Sequence, residues 1–353
     1  MKKGHRSFVA FGRPVLPVRV LGDRVSFLLN LRTMGVGAVL LILALCSAGL
    51  SVASGTYAIP FTGVVRALSG HGDAMVLMIV TEWRLPRAML ALLLGSALGL
   101  SGAIFQSVTR NPLGSPDIIG FAAGSYTGAL VVMLLLSGGY YETAAGALVG
   151  GIVTALAVYL LAYRRGAQGF RLIIVGVGIS AVLSAINAWM IREADLQVAM
   201  SVAIWGAGSL NGLGIEQLVP VAIVLCVIVP LTFLLGRPMR QLEMGDDAAR
   251  ASGVEANRVR LMLMVLGVAL TATVTAAAGP IAFIALAAPQ IARRLIRSGA
   301  IPLLPSALMG AFLLSAADWA AQHAFSIQLP VGVMTVSIGG VYFLWLLVRE
   351  DRA

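Results

Sequence analysis

The chain has 353 residues, of which 59% are hydrophobic and 11% charged, with a formal net charge of +10. A soluble globular domain carries about 25% charge and less than half apolar residues, so the composition excludes a soluble fold and specifies a polytopic membrane protein. A basic excess of this size in a soluble domain would point to nucleic acid; here it belongs to the loops between spans, and no nucleic-acid partner is expected.

A spanning helix uses roughly 20 apolar residues, and the apolar runs are long and continuous. That favours helices over the short alternating strands of an outer-membrane barrel. Forty glycines suit close helix packing in lipid. The fold class is therefore all-α, with about ten membrane-spanning helices. Cys46 and Cys226 lie in separate apolar runs and suggest no disulfide framework. His5, His71 and His323 have no metal-ligand spacing.

Residues 1–33 form a basic tail, followed by an apolar run. The basic region is too long for a signal peptide, and LALC lacks the small residue that precedes a lipoprotein cysteine. The tail is expected to be flexible or to lie on the inner membrane surface. The spacing predicts spans at 34–53, 87–108, 117–137, 143–163, 171–191, 214–235, 259–278, 281–296, 304–322 and 331–348. The eighth, with Pro280 and Pro289, reads as short or broken, which is tolerated only where protein or a cavity covers it. The membrane body is thus 34–348, with a C-terminal stub at 349–353.

With the N-terminus inside, 21 of the 25 Lys and Arg residues fall on inner segments. Arg66, Arg84, Arg87 and Arg192 fall outside. This asymmetry places both termini in the cytoplasm. It also leaves Arg84 and Arg87, in TEWRLPRAML, as exceptions, with Pro86 suited to a first helical turn. Two readings fit them: pairing with Glu82 or lipid headgroups, or an outward basic patch that receives acidic residues of a partner.

Residues 107–121, SVTRNPLGSPDIIGF, cannot form a regular span; Asp117 suits a cap for the next helix. Irregular backbone near membrane depth has to line a cavity or be buried, so a pathway constriction is a reasonable expectation. The longest inner loop, 236–260, is broken at Gly245; Asp246 or Asp247 is expected to cap a short helix ending at Gly253. This reads as a solvated loop with helical content or, more sharply, a docking element for a cytoplasmic partner. Asp318, in an apolar run, is a functional candidate by position. With no second acidic residue nearby, a cap or a helix–helix hydrogen bond fits it better than a proton relay. Interhelical bonding is also favoured for Asn187 and Gln290. The only lysines are Lys2 and Lys3, so no GxxxxGK[ST] nucleotide loop exists. No HExxH or GxSxG is present either, and nothing suggests an enzyme.

RLPRAMLALLLGSALGLSGAIFQSVTRNPLGSPDIIGFAAGS (84–125), LEMGDDAARASGV (242–254), GPIAFIALAAPQIARRL (279–295) and LPVGVMTVSIGG (329–340) together resemble the permease subunits of iron–siderophore and vitamin B12 ABC importers. WRLPR, QSVTRNPLGSPDIIGF, FRLIIVG and WGAGSLNGLG are most similar to the ferric-enterobactin-type branch. The resemblance implies a ten-helix permease of a bacterial plasma membrane. It would pair with a second, related permease, two ATPase subunits that use ATP and Mg, and an extracytoplasmic siderophore-binding protein. The chain itself would bind no cofactor. The implied cargo is a ferric siderophore of catecholate type; haem or cobalamin is the alternative, and a gradient-driven secondary transporter a more distant one.

Residue by residue, the resemblance implies binding-protein docking at Arg84 and Arg87. Gln322 stands where the family has a third arginine. It implies ATPase coupling at Met244, Gly245, Asp246, Asp247, Ala249, Arg250 and Gly253, and an inner gate at Asn111, Leu113, Ala167 and Gln168.

Overall fold

The computed structural model describes residues 8–10, 13–20, 25–55, 57–117, 120–162, 169–325 and 327–350. Each of the ten predicted spans is a helix: α1 (Leu31–Ala53), α4 (Leu85–Thr109), α5 (Phe121–Leu135), α6 (Tyr140–Ala162), α7 (Gly169–Glu193), α9 (Ile215–Leu234), α12 (Ala256–Ala278), α13 (Ile284–Ile296), α14 (Leu303–His323) and α15 (Val331–Glu350). Among the described residues seven helices are long and apolar enough to cross a membrane by themselves. α13 is not one of them. Its 13 residues rise about 20 Å at ~1.5 Å each, short of a bilayer core of about 30 Å.

Among the described residues five further helices lie outside the predicted spans. α2 (Phe61–Leu68) and α3 (Ala74–Met78) sit between α1 and α4; α8 (Leu196–Gly206) follows α7; α10 (Gly236–Glu243) and α11 (Asp246–Ala251) join α9 to α12. α3 runs without interruption into α4 through a π-helical segment, Ile79–Arg84, where the Leu85 N–H donates to the Val80 carbonyl five residues back. The widened turn precedes Pro86, which has no N–H to donate.

The basic tail is not wholly irregular: β1 (Phe8–Ala10), β2 (Arg13–Val20) and β3 (Val25–Asn30) pair antiparallel in the order β1-β2-β3, with Val15 opposite Asn30. β3 passes directly into α1, whose first turn Asn30 caps by accepting from the Arg32 N–H at 3.0 Å. The Arg32 guanidinium donates to the Leu295 carbonyl at 3.0 and 2.9 Å, which ties the start of α1 to the end of α13.

α4 is the axis of the molecule. Nearly every residue from Leu90 to Val108 is buried, against α14, α12, α13 and α9. The approach is close enough to require glycine. A Cβ at Gly95, Gly99 or Gly102 would overlap the carbonyl oxygens of Gly310, Ser306 and Ala285. In lipid, where apolar burial gives little drive, such backbone-to-backbone contact is a main source of helix affinity. Polar bonds supplement it: Ser101 Oγ reaches Thr271 Oγ1 at 2.7 Å, and Asn187 Nδ2 donates to the Ala123 carbonyl at 3.4 Å.

Candidate functional site

Polar groups gather at the two ends of α4. At the outer end, the last turn of α1, the start of α4 and the last turns of α14 converge. Arg84 Nη1 donates to the Val52 and Ala53 carbonyls at 3.1 and 3.5 Å, and Nη2 to the Tyr57 carbonyl at 2.6 Å. Arg84 therefore satisfies orphan carbonyls at the end of α1. Arg87 turns the other way and makes a two-pronged pair with Asp318: Nε to Oδ2 at 3.0 Å and Nη2 to Oδ1 at 2.8 Å. Gln322, one turn further along α14, donates to the same Oδ2 at 2.8 Å. Trp319 Nε1 bonds to Ser54 Oγ at 2.9 Å and closes the junction. Asp318 is 1% exposed, so its charge depends on Arg87. The three residues marked for docking are each half-buried; Arg87 and Gln322 share Asp318, while Arg84 is held by the end of α1, and Glu82 is exposed and pairs with neither arginine. Asp318 makes a helix–helix ion pair, a stronger form of the bond its sequence context favoured.

At the inner end, Arg110 follows α4 in the left-handed conformation (φ 51°). Its Nε donates to the Leu242 carbonyl of α10 at 2.9 Å, and its Nη2 pairs with Asp246 Oδ1. Arg260, near the start of α12, holds the same carboxylate at 2.7 and 2.9 Å. Partial burial raises the Asp246 pKa, but hydrogen bonds from Arg260 and Arg110, with their charges, outweigh it and hold the carboxyl below its ordinary range.

This geometry corrects the expected cap. Gly245 (φ 118°) is the N-cap of α11, and neither aspartate caps it. Asp246 is taken by two arginines, and Asp247 lies fully exposed, 3.5 Å from Arg250. α11 ends as expected, with Gly253 at φ 81°. Ala249 is buried against the body, whereas Met244 is 68% exposed. Glu243, two residues before Gly245, accepts from the Ile301 N–H at 3.5 Å. Burial raises its pKa above the ordinary carboxylate range, more than the nearby hydrogen bonds and arginines lower it.

Between the two ends, Gln290 of α13 donates to Gln106 Oε1 at 2.6 Å, and Gln106 donates to the Leu286 carbonyl at 3.0 Å. Asn111 closes a turn by accepting from the Leu113 N–H at 2.9 Å, and Leu113 is 40% exposed. Asp117 does not cap α5, whose N-cap is Gly120. Ala167 and Gln168 lie outside the described residues. Sequence reasoning missed Arg110 and Arg260, counting them only as inner charges. Their partner Asp246 is 136 residues from Arg110, and no local pattern signals that contact.

Comparison with known proteins places these features in context. The FecCD transport family model matches residues 8–349. The ferric enterobactin transport system permease protein FepG of Escherichia coli is 49% identical over 323 residues, covering 91% of this chain and 98% of that protein. The achromobactin transport system permease protein CbrC of Dickeya dadantii is 35% identical, covering 93% and 95%. Among solved structures, an inward-facing metal-chelate-type ABC transporter superposes with a TM-score of 0.80 at 25% identity, covering 90% of this chain and 99% of that one.

Proposed function

The chain belongs to the FecCD transport family, and from that premise we propose that it is the permease subunit of a bacterial inner-membrane ABC importer for a ferric siderophore of the enterobactin, catecholate type. The relatives support the cargo class: FepG is named for ferric enterobactin and CbrC for achromobactin. The geometry supports the mode of action through one observation above all: α11 is a six-residue helix held on the inner surface by Arg110 and Arg260 through Asp246, with Met244 projecting beside it. A short helix with its own fastening and an exposed apolar side chain is suited to fit a cleft in a second protein.

In this reading Met244, Gly245, Asp246, Asp247, Ala249, Arg250 and Gly253 form the contact with a separate ATPase, which supplies the energy from ATP and Mg. Two ATPases serve two permeases, the second a related but different chain. Arg84, Arg87 and Gln322 form the outer face on which a siderophore-binding protein docks. Asn111, Leu113, Ala167 and Gln168 form the inner gate. Residues 1–33 and 349–353 are cytoplasmic, flanking the membrane body at 34–348. A gradient-driven carrier would need an unpaired carboxylate within the membrane; both Asp318 oxygens are held by Arg87, and one also by Gln322.

The test is uptake in a strain lacking this gene, grown under iron limitation and offered radiolabelled ferric catecholate and hydroxamate siderophores, haem and cobalamin. Loss of catecholate uptake alone is the expected result. Loss of a different class would reassign the cargo, and unchanged uptake of all four would overturn the reading.

A further inference from the structure

A groove of about 550 Å³ lies between α6, α9 and α12, apart from both ends of α4. α12 walls it with one stripe, Leu261, Val265, Ala269, Ala272 and Ala276, whose spacing keeps them on a single helix face. From Leu261 to Ala277 the groove runs about 24 Å at ~1.5 Å per residue, most of a bilayer core of about 30 Å. Small residues leave the space: Ala144 and Ala155 of α6 line it as well, and Pro220 lines it from within α9. Ile152, Leu156, Val224 and Val265 on its rim are exposed, so it opens to the side of the helical body.

The polar side chains along the groove turn to the protein's own backbone. Tyr140 Oη donates to the Ala277 carbonyl at 2.6 Å, Thr273 Oγ1 to the Ala269 carbonyl at 2.8 Å, and Gln217 Oε1 accepts from the Gly214 N–H at 2.9 Å. Between them the channel is apolar. A volume of 550 Å³ spread over about 24 Å leaves a mean cross-section of about 23 Å², wide enough for one polymethylene chain and too narrow for a helix, which is about 10 Å across. Left empty, such a void forfeits the dispersion contacts of its lining, and at membrane depth an acyl chain is what fills it.

The two ends of the groove differ. At the outer end Tyr140 and Tyr141 meet edge to face at 5.3 Å, as aromatic residues do at a membrane–water interface. At the inner end the α12 stripe continues to Arg258, one turn before Leu261, which opens into a polar hollow shared with Asn257. The Arg258 guanidinium lies 3.9 Å from the Glu255 carboxylate, and both are well exposed. A pair of that kind contributes little and leaves the cation available to a phosphate.

We propose that this groove binds an anionic phospholipid of the inner leaflet, with one acyl chain between α6, α9 and α12 and the phosphate at Arg258. The cytoplasmic leaflet carries the anionic headgroups and attracts each basic residue near it by about 1 kcal/mol. The inference needs only that the chain spans a membrane, and it holds for any cargo.

The experiment uses the full chain with its partner subunits, reconstituted in vesicles of phosphatidylethanolamine and phosphatidylglycerol. Phosphatidylglycerol carrying a photoreactive diazirine in one acyl chain is crosslinked, and the labelled residues are mapped by mass spectrometry. Label should concentrate on α6, α9 and α12. Ala269→Phe, which fills the groove, should remove it, whereas Val149→Phe, on an exposed part of α6 outside the groove, should not. Unlabelled phosphatidylglycerol should displace the probe more effectively than phosphatidylethanolamine, and Arg258→Ala should reduce that preference about fivefold, the equivalent of one such charge. Label spread evenly over the helices, or absent from these three because a partner subunit covers them, overturns the site; this map is read on the native chain and needs no variant to fold. Equal displacement by the two lipids, or a preference that survives Arg258→Ala, overturns the assignment of an anionic headgroup to Arg258.

Discussion

The two ends of α4 use the same chemistry in different surroundings. At the outer end Arg87 and Asp318 are 15% and 1% exposed, and they join two long helices, α4 and α14, that already touch backbone to backbone. At the inner end Arg110 and Asp246 are 41% and 33% exposed, and they hold a helix of six residues. A buried ion pair is costly to break because the surviving partner keeps its charge out of water. A partly exposed pair is screened and contributes little. The outer junction is therefore a fixed joint, and the inner one a fastening that can be strained or re-formed when α11 is pushed.

The largest expected effect tests that contrast directly. Asp318→Ala leaves the Arg87 guanidinium half-buried without its counter-ion and should destabilise the protein by about 3–5 kcal/mol. Asp246→Ala should cost less: its carboxylate is 33% exposed and Arg110 keeps the Leu242 carbonyl, so the main loss is the partner of Arg260, itself only 8% exposed. Thermal unfolding in detergent compares the two. Equal losses would mean that the inner cluster is also a fixed joint.

The next effect concerns the close packing of α4. Gly102→Ala drives a methyl group into the Ala285 carbonyl, and overpacking of this kind costs about 1–3 kcal/mol. Gly253→Val, by contrast, meets open space; its penalty is the left-handed backbone at φ 81°, about 1–2 kcal/mol. The first substitution should lower the unfolding temperature. The second should leave it nearly unchanged but loosen α11, read as weaker copurification of the ATPase. If Gly253→Val lowered the global unfolding temperature as much as Gly102→Ala, α11 would be part of the cooperative core.

Much of this was legible from the chain. Ten helices followed from runs of about 20 apolar residues, because bilayer thickness leaves few other solutions. The ends of α11 were legible because Gly245 and Gly253 both need φ values that glycine adopts freely. The helices that escaped notice, α2, α3 and α8, are too short to announce a span; LQVAMSVAIWG is apolar yet only 11 residues long. The site was half-legible. Arg84, Arg87 and Gln322 were read as outward docking residues, but Asp318, the partner of Arg87 and Gln322, was not seen to join them, because it lies 231 residues from Arg87. Asp246 was read as a cap because caps are local, while its actual partners, Arg110 and Arg260, come from other segments. Local chemistry can be read along the chain; which distant group claims a carboxylate depends on packing.

The smallest effect is a matter of pH and separates two carboxylates within the inner region. Asp246 has a depressed pKa, so its contribution is complete above the ordinary aspartate value of about 3.9 and is lost only as pH falls through the depressed one. Glu243 has a raised pKa. The fold favours its protonated form, so its contribution is present below the ordinary glutamate value of about 4.3 and is lost as pH rises through the raised one. Between about pH 4.3 and neutrality, the unfolding temperature of Glu243→Gln should gain on that of the native chain as pH rises. The difference between the native chain and Asp246→Asn should stay constant, because that pair does not titrate there. A Glu243→Gln difference that is flat with pH would place Glu243 in water. A sloping Asp246→Asn difference in the same window would mean that its two arginines do not hold it, and the contrast between a fixed outer joint and a charge-fastened inner helix would lose its inner half.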